Sequence, residues 1–176
     1  MTTYEAPDGS ETVVIAYGSN LPAGAQTAWQ AFDGLVKTLA GRGLKITKIS
    51  RLWRSRAWPN PQDPDYINAI IVAESSLSPA DLLASLHEVE REAGRVRDGL
   101  KNAPRVLDLD LIAYGDRVID EPGLVLPHPR AADRGFVMGP LAEVRPDWVH
   151  PVLKRTAEDL YKNITVGVDA HLLRED

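Results

Sequence analysis

Apolar residues along the chain alternate between strand-like and helix-like spacing. Short apolar runs bounded by glycine, proline or polar clusters predict strands, which cover residues 12–17, 44–53, 66–74 and 106–114. Helical spacing of large apolar side chains predicts one helix at about 24–41 and a second that begins after Ser78. Ser78 is followed by Pro79 and Asp81, which is typical of a capped helix start. Within 44–53 the alternation slips between Ile46 and Ile49, which indicates a bulge.

These elements follow the order β-α-β-β-α-β. That order is typical of an α+β fold in which a ferredoxin-like βαββαβ antiparallel sheet carries its helices on one face. After the fourth strand come a short helical stretch near 137–143 and a last helix capped by Thr156, which we interpret as C-terminal additions. We therefore expect a flexible N-terminal segment at 1–11, a single domain at 12–163 and a C-terminal tail at 164–176.

The composition limits the class of function. The 176 residues carry a net charge of -5, which argues against a general nucleic-acid binder, because such proteins are usually basic. The chain contains no cysteine, so neither a disulfide framework nor a thiolate metal site is possible. The N-terminus lacks the basic start and apolar run of a signal peptide, and no stretch has the length of a membrane span. We expect a cytoplasmic monomer with neither nucleic-acid nor membrane partners.

Asp108 and Asp110 stand in the last predicted strand. Strand side chains alternate between faces, so the two carboxylates share one face while Leu109 and Leu111 point the other way. Two carboxylates about 7 Å apart repel each other unless a cation neutralises them, and Mg²⁺ prefers one or two protein carboxylates with waters and phosphates. The pair predicts a magnesium site, and the alternative is two acids on the wet face of an amphipathic strand.

A basic segment leads into that strand. It carries Arg95, Arg97, Lys101 and Arg105 between the second helix and the aspartates. It is longer than an ordinary connection and has no apolar period, which is typical of lids and binding loops. Arginine forks match phosphate oxygens, and cations beside a magnesium site suit phosphoryl transfer. The alternative is a solvated loop that pairs with the acidic face of the second helix.

Other side chains suggest a site for a flat heterocycle. Tyr66 and Asn68 are two residues apart at the head of a strand, so they share a face and set an aromatic ring beside an amide. Trp58 lies in a Pro-rich loop as a further stacking candidate, and Asn20 follows the first strand in a Gly-Ser-Asn turn. His128, between two prolines, could contact a phosphate or ribose or act as a base. Each of these could equally be an ordinary surface or turn residue.

Taken together, these motifs resemble those of one family. The segments that carry the likeness are Ala16-Tyr-Gly-Ser-Asn-Leu21, Pro61-Gln-Asp-Pro-Asp-Tyr-Ile-Asn-Ala69, Arg95-Val-Arg97, Pro104-Arg-Val-Leu-Asp-Leu-Asp110, Leu126-Pro-His128 and Arg134-Gly-Phe136. They are similar to the 6-hydroxymethyl-7,8-dihydropterin pyrophosphokinases of folate biosynthesis. The resemblance implies transfer of pyrophosphate from ATP to the pterin hydroxymethyl group with release of AMP. It also implies two Mg²⁺ ions as cofactors and a ferredoxin-like fold.

The resemblance implies roles for individual residues as well. Asp108 and Asp110 would hold both Mg²⁺ ions, and Arg95 and Arg105 would be catalytic-loop arginines that steady the transferring phosphates. The residues that would bind the pterin are Asn20, Trp58, Tyr66, Asn68 and Phe136. The residues that would bind ATP are Glu90, Arg97, His128 and Arg134. The chain departs from the usual family pattern at Asn102 and Val106, just before and within the aspartate motif.

Two other functions remain alternatives on the sequence alone. Another Mg²⁺-dependent phosphoryl or nucleotidyl transferase of the same fold would share the aspartate pair but would not need Tyr66, Asn68 and Phe136. A noncatalytic ligand-binding module is the second alternative. RNA readers with four-stranded sheets usually carry aromatics on central strands and a basic surface, whereas this chain has acids in the middle of its last strand and a net charge of -5.

Overall fold

The computed structural model describes residues 9–19, 25–57, 60–93 and 107–174. The strands are β1 (Glu11–Ser19), β2 (Lys45–Ile49), β3 (Trp53–Ser55), β4 (Tyr66–Ser75), β5 (Asp108–Tyr114), β6 (Ile119–Glu121), β7 (Leu124–Leu126) and β8 (His171–Leu172). The α-helices are α1 (Ala25–Gly41), α2 (Pro79–Glu92), α3 (Gly135–Val144) and α4 (Ala157–Tyr161), and a 3₁₀ turn spans Ala131–Asp133. Both predicted helix caps are confirmed, since Ser78 accepts from Asp81 N–H and Thr156 accepts from Asp159 N–H. None of the helices in these ranges has the length and apolar character that crossing a membrane requires.

Six of the strands form one antiparallel sheet. Its order is β5-β1-β4-β3-β8, with β2 also paired to β4, while β6 and β7 form a separate hairpin. The chain is therefore a mixed α/β protein with an antiparallel sheet, as the sequence predicts. Because β1 pairs with β4 along one edge and with β5 along the other, residues at its carboxyl end lie between residues of two other strands.

The strand predicted at 44–53 is divided in two. β2 and β3 both pair with β4, and the register of β2 shifts between Ile46 and Lys48, where the alternation slips. Between the two strands, Ser50 N–H donates to Ile70 O, and Ile70 N–H donates to Ser50 Oγ at 2.8 Å. A side-chain hydroxyl thus takes the place that a backbone carbonyl holds in a regular ladder. The predicted bulge is confirmed, and the prediction of a single strand is wrong.

Helices cover both faces of the sheet. Ile15 and Ile71 pack with α1 and α2 on one face, whereas Val14 and Ile70 pack with α3 and α4 on the other. The two helices predicted on one face are α1 and α2, which share that face, and the C-terminal additions α3 and α4 cover the other face, for which the sequence made no prediction. The strands are apolar on both faces over much of their length, so both faces need a covering layer.

A bulge in β5 supports this second layer. Val14 pairs with Ala113 and Ile15 with Leu111, so Ile112 is passed over in the register with β1. Ile112 and Ala113 both pack with α3 and α4, whereas regular alternation would send one of them to the opposite face. Asp108 and Asp110 come before the bulge, where regular alternation places them on the same face as Ile112.

Helix α3 is anchored to the sheet through Trp53. The ring lies so close that a Cβ atom at Gly139 would be 2.6 Å from Trp53 Cζ3. Trp53 Nε1–H donates to the Glu143 carboxylate at 2.8 Å, and the backbone N–H and guanidinium of Arg51 donate to the same carboxylate. Burial raises the pKa of Glu143, but the hydrogen bonds from Trp53 and Arg51 outweigh it and hold that pKa below its usual value.

Residues 164–174, expected within a tail, are part of the fold. β8 pairs with β3 at the edge of the sheet. Val166 forms a bridge with Arg134, and its carbonyl accepts a hydrogen bond from Gly135 N–H at 2.8 Å, at the start of α3. Backbone hydrogen bonds rather than a periodic apolar face hold this segment, so hydrophobic periodicity gives no signal for it.

We predict that Gly139→Ala destabilises the protein by about 1–3 kcal/mol, because the new methyl group would overlap a Trp53 ring that Glu143 holds in place. Gly34→Ala is the matched control, since Gly34 also lies inside a helix and nothing is within 4 Å of its Cβ position. That change should stabilise the protein by about 0.5–1 kcal/mol. Urea unfolding measures both values, and a similar effect of the two substitutions would contradict the close packing of α3 on Trp53.

Candidate active site

A cavity of about 540 Å³ lies between the sheet and the N-terminal end of α3. The sheet side is lined by Ala16, Tyr17, Gly18, Ser55, Arg56, Tyr66, Asn68, Asp108 and Asp110. The opposite side is lined by Arg130, Asp133, Arg134, Phe136, Val137 and Val166. The cavity thus brings together these residues that the sequence predicts as a site: Tyr66, Asn68, Asp108, Asp110, Arg134 and Phe136.

The floor of the cavity is a row of residues across three strands. Gly18 in β1 pairs with Asn68 in β4 and with Asp108 in β5, and we call these three residues the polar row. A Cβ atom at Gly18 would lie 3.8 Å from Asp108 Cβ and 4.0 Å from Asn68 Oδ1, so the missing side chain keeps this space open. The turn predicted at Gly18 is wrong, because β1 continues to Ser19.

Asp108 and Asp110 lie on the face that the alternation predicts. Leu109 and Leu111 pack into the core on the opposite face, and both aspartates line the cavity. In the part of the chain that the structure describes, no group of three or more His, Cys, Asp or Glu side chains could hold a metal ion. The aspartate pair still suffices for Mg²⁺, which commonly takes one or two protein carboxylates and completes its shell with waters and phosphates.

Asn68 is oriented by its neighbours in the sheet. Its side chain is buried, and Nδ2 donates to Ser55 Oγ at 3.0 Å. A longer hydrogen bond of 3.4 Å runs from Nδ2 to the carbonyl oxygen of Tyr66. Because the amide nitrogen is engaged in this way, Asn68 presents Oδ1 to the space above Gly18 as an acceptor. The sheet thus offers a fixed hydrogen-bond acceptor in the cavity that Tyr66 also lines.

Arg134 and Phe136 form the opposite wall at the start of α3. The guanidinium carbon of Arg134 lies 5.6 Å from the centre of the Phe136 ring, which is the geometry of a cation–π contact. The Phe136 ring packs on Gly167, where φ is +67° and a Cβ atom would lie 2.6 Å from Phe136 Cδ1. The C-terminal segment therefore fixes an aromatic ring of the cavity wall.

His128 lies among the charges of this site. Burial lowers the pKa of its imidazole below the usual value, the Asp110 carboxylate opposes that effect, and Arg134 and Arg130 reinforce it. Nδ1 accepts a hydrogen bond from the backbone N–H of Arg130 at 3.2 Å. A neutral His128 ring therefore carries its proton on Nε2, which makes that nitrogen a donor.

Glu90 supports the aspartate strand. Its side chain is 2% exposed, and Oε1 accepts a hydrogen bond from Leu109 N–H at 2.8 Å. Leu109 lies between the two aspartates on β5, which is at the edge of the described sheet, so the carboxylate caps an edge N–H group. The nucleotide contact expected for Glu90 stays a prediction.

The sequence and the structure select partly different residues. Asn20, Trp58, Arg95, Arg97 and Arg105 lie outside the described residues. The cavity also contains residues that the sequence does not indicate as site residues, among them Ser55, Arg56, Arg130, Asp133 and Val166. Arg130 could have been found from its position two residues after His128. Val166 has no such signal, because its place depends on how the C-terminal segment returns to α3.

Comparison with known proteins points to one family. Residues 14–146 match the family model described as 7,8-dihydro-6-hydroxymethylpterin-pyrophosphokinase. A Synechocystis sp. protein named 2-amino-4-hydroxy-6-hydroxymethyldihydropteridine pyrophosphokinase is 45% identical over 122 residues, which cover 69% of this chain and 62% of that protein. An Aquifex aeolicus protein of the same name is 32% identical over 148 residues, which cover 84% of this chain and 89% of that protein. An Arabidopsis thaliana folate synthesis bifunctional protein is 34% identical over 134 residues, with coverages of 76% and 27%.

Solved structures share the fold. The crystal structure of Plasmodium falciparum HPPK-DHPS with pteroate matches with a TM-score of 0.67 at 13% identity. The match covers 87% of this chain and 42% of that chain. At this identity the likeness shows the fold alone.

We predict that Glu90→Ala destabilises the protein by about 1–3 kcal/mol, because it leaves the buried Leu109 N–H without this acceptor. Glu90→Gln keeps an acceptor oxygen and should cost less. Glu92→Ala is the control, because Glu92 is exposed on the same helix and forms a surface ion pair with Arg42, for which we expect a loss of about 0–1 kcal/mol. Urea unfolding compares the three variants, and equal losses in the two alanine variants would show that Glu90 does not hold the strand.

Proposed function

The chain belongs to the 7,8-dihydro-6-hydroxymethylpterin-pyrophosphokinase family, and we propose that it transfers pyrophosphate from ATP to 6-hydroxymethyl-7,8-dihydropterin with release of AMP. This makes it an ATP-dependent diphosphotransferase of folate biosynthesis. The observation that carries the proposal is the polar row, which sets the Asn68 amide and the Asp108 carboxylate on either side of Gly18 in one cavity. The Asn68 amide suits a heterocycle and the Asp108 carboxylate suits a cation, so the two ligands would bind next to each other.

We also propose that the elements from β1 to β5 form a ferredoxin-like unit. If β2 and β3 are counted as one interrupted strand, the order is βαββαβ, and α1 and α2 pack on the same face of the sheet. Residues 12–163 would form a single domain, which residues 164–174 extend through β8. The cytoplasm is the proposed location, because the proposed reaction consumes ATP.

The pterin would bind between the sheet and α3. Asn68 Oδ1 is a fixed acceptor suited to the ring N–H and amino groups of a pterin, and Tyr66 and Phe136 offer aromatic surface to a flat ring. The cavity volume of about 540 Å³ is of the size usual for small-molecule sites. From the family resemblance, we propose that Trp58 and Asn20 complete the pterin site.

The phosphates of ATP would bind beside Asp108 and Asp110. We propose that these carboxylates hold two Mg²⁺ ions, which would offset the charge of the phosphate oxygens. Arg134 lines the same cavity and suits a contact with ATP. His128 offers an Nε2–H donor, which suits a phosphate or ribose oxygen and does not suit a general base.

The remaining proposed residues come from the family resemblance. Arg95 and Arg105 would steady the transferring phosphates, and Arg97 would bind ATP. Glu90 would act near the nucleotide in addition to its hydrogen bond with Leu109. Guanidinium groups suit this task because they stabilise charge that is spread over several phosphate oxygens.

The proposed reaction is an in-line displacement at the β-phosphorus of ATP. The pterin hydroxyl oxygen forms a bond to that phosphorus, the bond to the oxygen shared with the α-phosphate breaks, and AMP leaves. The hydroxyl proton passes to solvent. Asn68 and Phe136 would orient the pterin and Arg134 would orient ATP, so the protein contributes chiefly by alignment and by charge stabilisation.

The test is an AMP-release assay with ATP, Mg²⁺ and the reduced hydroxymethylpterin. We expect AMP and the pterin diphosphate in equal amounts, with no AMP when the pterin is omitted. Formation of ADP would indicate transfer of a single phosphoryl group. Turnover with an alcohol acceptor but none with the pterin would indicate another transferase on the same fold.

We predict that Asp108→Asn and Asp110→Asn each lower turnover by about 100-fold or more, because each removes a charge that the proposed Mg²⁺ site needs. Asp120→Asn on β6 is the control, since Asp120 is exposed and does not line the cavity. Calorimetric titration of Mg²⁺ with a nonhydrolysable ATP analogue should show weaker metal binding in the two site variants only. Wild-type turnover at low Mg²⁺ in either site variant would exclude this metal site.

We predict that Asn68→Ala and Tyr66→Ala weaken pterin binding much more than ATP binding. Loss of the buried Asn68 amide should cost about 1–3 kcal/mol of pterin binding, because the partner groups of the pterin lose an acceptor fixed by Ser55. Asn163→Ala is the control, since that amide is bonded at the end of α4 away from the cavity. Pterin fluorescence and ATP calorimetry separate the two affinities, and equal losses for both ligands would point to a folding defect.

A further inference from the structure

The described arginines fall into two groups. Those that form ion pairs with carboxylates are Arg42, Arg51, Arg54, Arg117, Arg145 and Arg155. Those without an ion-pair partner among the described residues are Arg56, Arg91, Arg130, Arg134 and Arg174. Acidic residues outnumber basic ones in this protein, so a general shortage of carboxylates does not explain the second group. Its members Arg56, Arg130 and Arg134 converge on the cavity.

Arg130 lies at the aspartate end of that cavity. His128 N–H donates to the carbonyl oxygen of Ile112 at 2.8 Å, so the turn that carries His128 and Arg130 lies beside β5, next to the aspartate pair. Four charges, Asp110, Arg134, Arg130 and Asp108, act on the His128 ring. The backbone of Arg130 is fixed there, because its N–H donates to His128 Nδ1 and the next residue begins the 3₁₀ turn.

The guanidinium of Arg130 forms no ion pair with Asp133, the carboxylate nearest to it along the cavity-lining turn. Asp133 lies three residues further on and lines the same cavity. Arg56, by contrast, directly follows Ser55, whose hydroxyl is bonded to Asn68, and so belongs to the heterocycle end. Among the described residues, Arg130 and Arg134 are therefore the arginines whose charges are available to an anion beside the aspartates, and Arg134 already has an expected role with ATP.

We propose that Arg130 is a further phosphate-binding residue, which contacts the phosphate chain of ATP next to Asp108 and Asp110. The proposal rests on the proposed function, because it assumes that ATP occupies this cavity. A guanidinium group offers paired N–H donors that match phosphate oxygens, and here no ion pair with a described residue has to break before it binds. The aspartates alone would repel the phosphates, and Arg130 together with Arg134 offsets that repulsion.

The competing explanation is that Arg130 is a solvated arginine that attracts anions only through its long-range field. The two explanations predict different effects of replacing Arg130 with lysine. A direct, forked contact depends on the shape of the guanidinium and is partly lost in lysine, whereas a long-range field depends on charge alone. They also differ in which part of ATP is affected, because only a direct contact would weaken binding of the phosphates without weakening binding of adenosine.

The experiment measures binding of ATP with Mg²⁺, tripolyphosphate with Mg²⁺, adenosine and the pterin to the full chain and to three variants: Arg130→Ala, Arg130→Lys and Arg174→Ala. Arg130→Ala should raise the Kd for ATP and for tripolyphosphate by about tenfold or more, which is the effect of one charge-assisted hydrogen bond. Arg130→Lys should fall between wild type and alanine. Adenosine and pterin affinities should stay unchanged in every variant.

Arg174→Ala is the matched control, because Arg174 is exposed, has no ion-pair partner among the described residues and does not line the cavity. Its phosphate affinities should stay within about twofold of wild type, as for a surface charge elsewhere. Wild-type affinity for tripolyphosphate in Arg130→Ala, or in Arg130→Lys when the alanine variant does not fold, would overturn the proposal. Loss of adenosine binding equal to the loss of tripolyphosphate binding would overturn it too. AMP release by the wild-type protein tests the proposed function separately, so the two failures remain distinguishable.

Discussion

The site depends on the antiparallel register that joins β4, β1 and β5. This register places Asn68, Gly18 and Asp108 side by side, although they come from three separate parts of the chain. A slip of one residue in β5 would turn both aspartates into the core and bring Leu109 to the cavity floor, because side chains alternate with a period of two. The apolar core on the far side of the sheet therefore enforces the polar arrangement on the near side.

The wall opposite the sheet is held at two places. Trp53 and Glu143 attach α3 to β3, and the backbone of Val166 attaches the start of α3 to the C-terminal segment. Both attachments rely on glycine, since side chains at Gly139 and Gly135 would overlap their neighbours. The distance between Phe136 and the sheet is thus set by close packing and hydrogen bonds, which deform less readily than a hinged loop.

Local patterns in the sequence predict the parts of the site that depend on local geometry. The alternation in β5 predicts the shared face of Asp108 and Asp110, and the capping pattern predicts the start of α2. The second covering layer, the division of the strand at Ser50 and the return of the C-terminal segment to α3 were not predicted. They depend on contacts between distant residues, and Arg130 and Val166 reach the cavity only through such contacts. Hydrophobic periodicity does not indicate where a segment such as the C-terminal one packs on the rest of the fold.

The origin of the cavity in distant segments has a thermodynamic consequence. Its walls come from β1, β3, β4, β5, α3 and the C-terminal segment, so an unfolded chain offers no ligand a comparable site. A ligand that binds only the native state raises its stability by about 2.7 kcal/mol at a concentration 100 times its Kd. Substrate supply would then help to set how much of the protein stays folded, and a variant weakened in its packing would survive better in a cell where its substrates are abundant.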